Sequence, residues 1–198
     1  MLNTTRLHVI IRNRGGDFLY TPLELRRMEA DVDICRELNV DGVVFGCLTP
    51  NGDIDLEANR LLLSHAKGMS VTFHRAFDHC RNPRQALDDL MTLGFDRVLT
   101  SGQKPTAFEG IPLLCELQRR AGGRIKIMAG CGVNEQNIAC IHKETGITNF
   151  HFSAREPIHS QMKYVNPDVY MGSKDADETT IMVTTKRRVE DIIQALLD

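Results

Sequence analysis

The sequence predicts a single α/β domain, a (β/α) barrel short of two of its strand–helix units. Three observations lead there. Six strand candidates begin near residues 7, 41, 70, 96, 124 and 148, at spacings of 24 to 34 residues. A helical pattern follows each one, and strict alternation at that spacing gives a parallel sheet with helical crossovers. One strand face is apolar: Val9 and Ile11, Val43 and Phe45, Val71 and Phe73, Ile125 and Ile127, Phe150 and Phe152. The other face ends in Arg12, Gly46, His74, Thr100, His151 and Ser153. An open doubly wound sheet also fits the alternation, but its strands are buried on both faces and read as apolar throughout. A single apolar face and a polar C-terminal mouth favour the barrel, with six parallel strands inside and helices outside.

Each element has a local reason. Residues 7–12 form the first strand and run into a loop holding Arg12, Arg14 and the pair Gly15-Gly16. Thr21 is a good N-cap and Pro22 a good first helical residue. That helix reaches about residue 38, with Leu25, Met28, Val32, Cys35 and Leu38 on one face. Residues 41–46 are the second strand, 49–52 a turn, and Asp55 caps a helix to about 66. The third strand, 70–74, ends in charge, and Pro83 opens the helix to 93. The fourth strand spans 96–101. A helical stretch follows over 106–120, its first turns divided from the rest by Pro112. Residues 124–128 are the fifth strand, leading to Gly130-Cys131-Gly132 and a helix capped by Asn134. The sixth strand covers 148–153. Residues 154–180 are polar, hold two prolines and show no period, so they read as a long loop before a last helix at 185–197.

Composition narrows the function classes. The chain has 198 residues, the size of one domain, so residues 1–198 are read as one unit. Its hydrophobic share of 42% and charged share of 25% are those of a soluble globular protein. A net charge of −2 gives no field to attract nucleic acid. No apolar run approaches the ~20 residues that span a bilayer. The first six residues carry no secretory pattern, so a cytoplasmic setting is expected. The six cysteines are scattered with no C-x-x-C pair, which suits reduced thiols.

The stretch Ser70–Asp78, S-V-T-F-H-R-A-F-D, carries the densest chemistry. His74, Arg75 and Asp78 are candidates for general acid/base and anion-binding work, because an imidazole changes charge near neutral pH. A polar network that only satisfies itself is the plain alternative. His151 mirrors His74 on the sixth strand and is the fourth catalytic candidate. Arg12 and Arg14 beside Gly15-Gly16 look like an anion clamp, since the guanidinium fork matches carboxylate and phosphate. An Arg held by nearby carboxylates such as Asp17 is the other reading. Gly130 and Gly132 in a turn opening a helix would present backbone N–H groups to an anion, with Ser153 nearby.

At this point the motifs resemble the CutC copper homeostasis family. The matching stretches are I-R-N-R-G-G-D-F at 11–18, D-G-V-V-F-G at 41–46, V-T-F-H-R-A-F-D at 71–78, R-V-L-T-S-G at 97–102 and F-H-F-S-A-R at 150–155, with Met171-Gly172 a further match. They occur in family order across nearly the whole chain. The resemblance implies a (β/α)₈ barrel, a homo-oligomer and a cytoplasmic role, the nucleus also being open, in copper binding and copper tolerance. It also implies that the first two strand–helix units of the family are absent here. Those strands carry the cysteines usually proposed as copper ligands. Copper(I) prefers thiolates and thioethers, which leaves Cys47, Met128 and Cys131 as candidate ligands. An enzyme of another class also fits the residues. It would bind a small anionic or phosphorylated substrate at the mouth, with His and Arg as its chemistry.

A sheet missing two strands exposes its first and last strands, and exposed strand edges pair with other chains. The chain is therefore expected to associate with increasing concentration in sedimentation velocity. A monodisperse monomer that unfolds cooperatively contradicts that expectation.

Overall fold

Residues 5–170, 177 and 179–197 are described by the structure, a computed structural model. Met171 and Gly172 lie outside them. Six parallel strands stand in chain order: β1 (His8–Ile10), β2 (Gly42–Phe45), β3 (Ser70–Phe73), β4 (Arg97–Thr100), β5 (Lys126–Gly130) and β6 (Asn149–His151). Every neighbouring pair is parallel, and the sheet curls into a half-barrel. Helices α1 (Pro22–Glu37), α2 (Leu56–His65), α3 (Pro83–Leu93), α4 (Ile111–Ala121), α5 (Ile138–Thr145) and α6 (Lys186–Leu197) cover its convex side. Each packs beside the next in sequence.

The apolar strand face lies under those helices. Val43, Phe45, Val71, Phe73, Val98 and Ile127 are buried against helix residues such as Met28, Leu62, Leu87, Leu114 and Ile141. Phe95 joins the strands at their base, with ring centroids 5.5 Å from Phe45 and 5.4 Å from Phe73 in edge-on contact. Two aspartates that precede strands tie down the sheet's N-terminal edge. Asp41 Oδ2 accepts from the Leu7 N–H at 2.8 Å, and Asp96 Oδ2 from the Val71 N–H at 2.7 Å.

Helix ends follow the sequence closely. Thr21 forms a full capping box with Glu24 ahead of Pro22, an arrangement worth about 1 kcal/mol. Asp55 caps α2 by accepting from the Ala58 N–H. Asn82 caps α3, which ends at Gly94 in the left-handed region. Pro112 sits in the first turn of α4, where proline is tolerated, so the helix starts at Ile111 rather than at 106.

Three expectations are corrected. Residues 154–180 are not all loop: β7 (Arg155–His159) pairs antiparallel with β8 (Thr180–Thr184), Arg155 opposite Thr184. Both strands are largely exposed, so no burial pattern marks them, and Pro157 fits because both strands are edges. Next, Asn137 and not Asn134 holds the N-cap position of α5, and its side chain makes no capping bond there. Asn134 instead closes the preceding turn, accepting from the Gln136 N–H at 3.0 Å. Last, Thr100 does not face the concavity. It shares the helix side with Val98, fully buried, while Arg97 and Leu99 take the inward places on β4.

The loop after β4 is pressed against the start of α4. A Cβ at Gly110 would lie 1.8 Å from the Ser101 carbonyl oxygen, a backbone atom that cannot step aside. Gly110→Ala is expected to cost about 3 kcal/mol by overpacking, read as a lower midpoint in urea unfolding with an unchanged slope.

Candidate functional site

Strand parity sets the concave face. Register places His8, Gly42 and Ser70 across one level, Val44, Thr72 and Arg97 across the next, and Gly130 beside His151 near the rim. Arg6, His8, Thr72, His74, Arg97 and His151 line an open cavity of about 530 Å³ there, with Met128 and Leu99 on its floor. Glycines make room for the larger groups. A Cβ at Gly42 would meet the His8 ring at 2.4 Å, and one at Gly46 would lie 2.8 Å from His74 Nδ1.

His74 is the most confined of these groups, 3% exposed at the end of β3. Its Nδ1 accepts from the Ala76 N–H at 3.3 Å, capping the 3₁₀ helix Arg75–His79. Its Nε2 is buried with no hydrogen-bond partner among the described residues. Burial, and then the Arg12 guanidinium, hold its pKa down at about 4. Phe18 packs on the ring at 5.0 Å and carries the Arg12 guanidinium carbon 4.6 Å above its own centroid.

Asp78 has another task. Its side chain is 5% exposed. It accepts from Arg75 Nε at 2.8 Å, the Thr100 hydroxyl, and the N–H groups of Ser101 and Gln103 at 3.0 and 3.1 Å. This carboxylate therefore fastens the loop after β4 to the loop after β3. Arg75 completes the link by donating to the Ser101 hydroxyl at 3.1 Å. His151 on β6 is accessible to solvent, yet the atoms crowded around its ring desolvate it in part, and that effect, then the charge of Arg75, lowers its pKa. Ser153 is exposed beyond β6, and its carbonyl accepts from the Thr184 hydroxyl at 2.8 Å.

The two loop arginines part company. Arg14 spends its fork inside its own loop, on Glu24 at 2.6 Å, the Leu19 carbonyl at 2.8 Å and Asp17 at 2.9 Å. Arg12 makes one backbone bond, to the Gly16 carbonyl at 2.8 Å, and stays beside His74. Gly130 lies at the rim, where a Cβ would meet Leu99 at 2.5 Å. Gly132 has a φ of 72°. Its carbonyl accepts from the side-chain amide of Asn137 at 2.8 Å. The turn does not open a helix directly, because α5 begins only at Ile138.

The metal candidates do not converge. Cys47 is 1% exposed on the helix side beyond β2, between the core and Asn59, which bonds its backbone on both sides. Burial pushes its thiol up to about 12, so it is a neutral thiol. Met128 lies on the opposite sheet face, three strands away. Cys131 sits in a left-handed turn with its thiol donating to the Pro105 carbonyl at 3.1 Å. Among the described residues no three His, Cys, Asp or Glu side chains are grouped to hold a metal ion. These residues do not fit a thiolate copper site.

Arg97 and His8 were missed by sequence reasoning. Arg97 donates to the Thr72 hydroxyl at 2.9 Å, while its Nε is buried without a partner among the described residues. His8 has its pKa lowered by burial and then by Arg97. Arg97 shares parity with Leu99, which the misplaced Thr100 concealed, whereas His8 shares parity with Arg12 and its inward position was open to the same reading. None of the described residues lining the cavity is a carboxylate. The face thus offers guanidinium charge and neutral imidazoles, a setting for an oxyanion.

A model of the CutC family matches residues 2–156. A CutC family protein of Bacteroides thetaiotaomicron is 59% identical over 197 residues, covering 99% of this chain and 79% of the relative. One from Porphyromonas gingivalis is 48% identical over 194 residues, covering 96% and 78%. Among solved structures, CutC from Streptococcus agalactiae, named for copper homeostasis, aligns with a TM-score of 0.71 at 40% identity, covering 74% of this chain and 71% of that one. An aldolase designated QR15 aligns at 0.57 and 16% identity, covering 73% and 66%, a likeness of fold alone. No helix among the described residues is long and apolar enough to cross a membrane.

His74 makes stability depend on pH. Its ordinary pKa of 6.5 falls to about 4 on folding. Between those values the unfolded chain binds more protons, so the contribution is complete above pH 6.5 and is lost as pH falls toward 4. Full loss amounts to about 3 kcal/mol. His8 and His151 act in the same direction. Urea unfolding at pH 7.5 and 4.5 should show a smaller acid loss for His74→Gln than for the natural chain; equal losses contradict the assignment.

Proposed function

We propose, on the premise that this chain belongs to the CutC family, that its concave face binds a small oxyanion, a phosphate ester or carboxylate, at the mouth of the half-barrel. One observation carries this reading: guanidinium groups and imidazoles line the cavity and no described carboxylate does. Arg12, with no acidic partner among the described residues and stacked on Phe18, is the anion contact at the rim. Arg97 offers a second guanidinium lower in the cavity. His151, exposed and neutral near pH 7, is the group best placed to take and return a proton if the bound molecule is also transformed. Arg75 and Asp78 position the rim rather than touch the ligand. Gly130 keeps the approach open beside His151.

A second reading, copper handling in the cytoplasm with the ion as cargo, is favoured by the name of the Streptococcus agalactiae relative. Its natural ligands would be soft donors. Cys47, Met128 and Cys131 give it little support, because they lie on different faces of the sheet. In either reading a second copy of the chain is the partner that the open edges of β1 and β6 suit best.

The two readings separate in one pair of titrations. Inorganic phosphate should bind the natural chain, weaken about tenfold with Arg12→Gln, and be unaffected by thiol alkylation. Copper(I), titrated against a competing chelator, should bind no better than background. Tight copper(I) binding that alkylation abolishes would reverse the assignment.

A further inference from the structure

His74 presents an anomaly that neither reading has used. A ring nitrogen inside a folded chain is nearly always paired, because an unmade bond to a buried polar atom is costly. Here Nδ1 is paired, and Nε2 has no partner among the described residues. The pairing also fixes the proton. Nδ1 accepts from the Ala76 N–H, so its lone pair is used and the neutral ring carries its hydrogen on Nε2. Three features hold the ring in that pose: Gly46, whose missing Cβ leaves room for Nδ1 at 2.8 Å; Phe18 at 5.0 Å; and the 3₁₀ helix whose first turn the ring caps.

We infer that His74 is a ligand-binding residue that donates its Nε2 hydrogen to an oxygen of the bound oxyanion. The inference rests on the anion reading of the same cavity and gives His74 one role within it. Two other roles are excluded on geometry. A general base needs a free lone pair, and the pose leaves none. A metal at Nε2 would move the hydrogen to Nδ1, where it would oppose the Ala76 N–H at 3.3 Å. The Arg12 guanidinium, close enough to disfavour a charged His74 ring, would meet the same anion as the second donor. A neutral donor beside a guanidinium binds an anion without adding a second positive charge that would repel the first.

The experiment has two arms on the full chain. Long-range ¹⁵N–¹H spectra of the natural protein read the state of His74 directly. Expected are a protonated Nε2 and a bare Nδ1 from pH 5.5 to 8, with the Nε2 hydrogen shifting on addition of inorganic phosphate. In the second arm, His74→Gln keeps an amide donor and should bind phosphate within about threefold of the natural chain, while His74→Ala should lose about tenfold. If the natural chain binds phosphate but the proton resides on Nδ1, or its signal is indifferent to phosphate, His74 is no donor and the anion reading survives without it. Equal binding by His74→Ala has the same consequence. If the natural chain binds no phosphate and Arg12→Gln changes nothing, the anion reading itself fails, and this inference with it. The spectra need no variant, so a misfolded substitution does not blunt the test.

Discussion

Parallel pairing in strict chain order is the constraint on which the rest of the molecule depends. Each strand must present its C-terminal end to the same edge, so polar residues that terminate strands are gathered without any long-range design. The pleat then sorts side chains by parity. Val71 and Phe73 go under the helices, while Thr72 and His74 go to the concave face. A slip of one residue in β3 would bury His74 in the apolar layer and turn Phe73 into the cavity, so register and site are specified together.

The rim is held by one carboxylate. Asp78 is sequestered, yet it answers two backbone N–H groups of the loop after β4 as well as Arg75 and Thr100. A short side chain that accepts several donors fixes loop geometry better than a hydrophobic contact, because each bond has a direction. The consequence is chemical. Arg75 is anchored to Asp78 and Ser101 and works from a fixed place, its charge adding to burial in lowering the pKa of His151. Arg14 plays the same part in the loop after β1, where Glu24, Asp17 and the Leu19 carbonyl consume its fork. Of two arginines two residues apart, one builds the loop and the other is left over Phe18 beside His74.

That division marks the limit of what the sequence discloses. Strand positions, most helix starts and the burial face were legible because they are local: Thr21, Asp55 and Pro83 act within one turn, and alternation acts within one strand. The inward positions of His74 and His151 were legible for the same reason. Thr100 was misplaced because Val98, Leu99 and Thr100 offer apolar residues at both parities, and only pairing with β5 chooses between them. The hairpin of β7 and β8 was hidden since its strands are exposed and far apart in sequence. Partner choice was hidden too. Nothing in the order R-N-R-G-G-D reveals that Asp17 and Glu24 claim Arg14 and leave Arg12.

The cysteines illustrate why composition misleads about metals. Soft donors near strand ends suggest a copper site only if they share a face and ionise. Cys47 follows Gly46 and so falls on the helix side, where burial keeps its thiol protonated. Met128 has the opposite parity on β5. No rearrangement of side chains alone joins them, because the sheet lies between. What the concave face retains is guanidinium charge, with three imidazoles whose pKa values are all depressed. Neighbouring arginines contribute to the depression in each case, alongside burial. Burial is the larger cause of the imidazoles' neutrality, and the arginine charge that adds to it is the same charge that would draw an oxyanion.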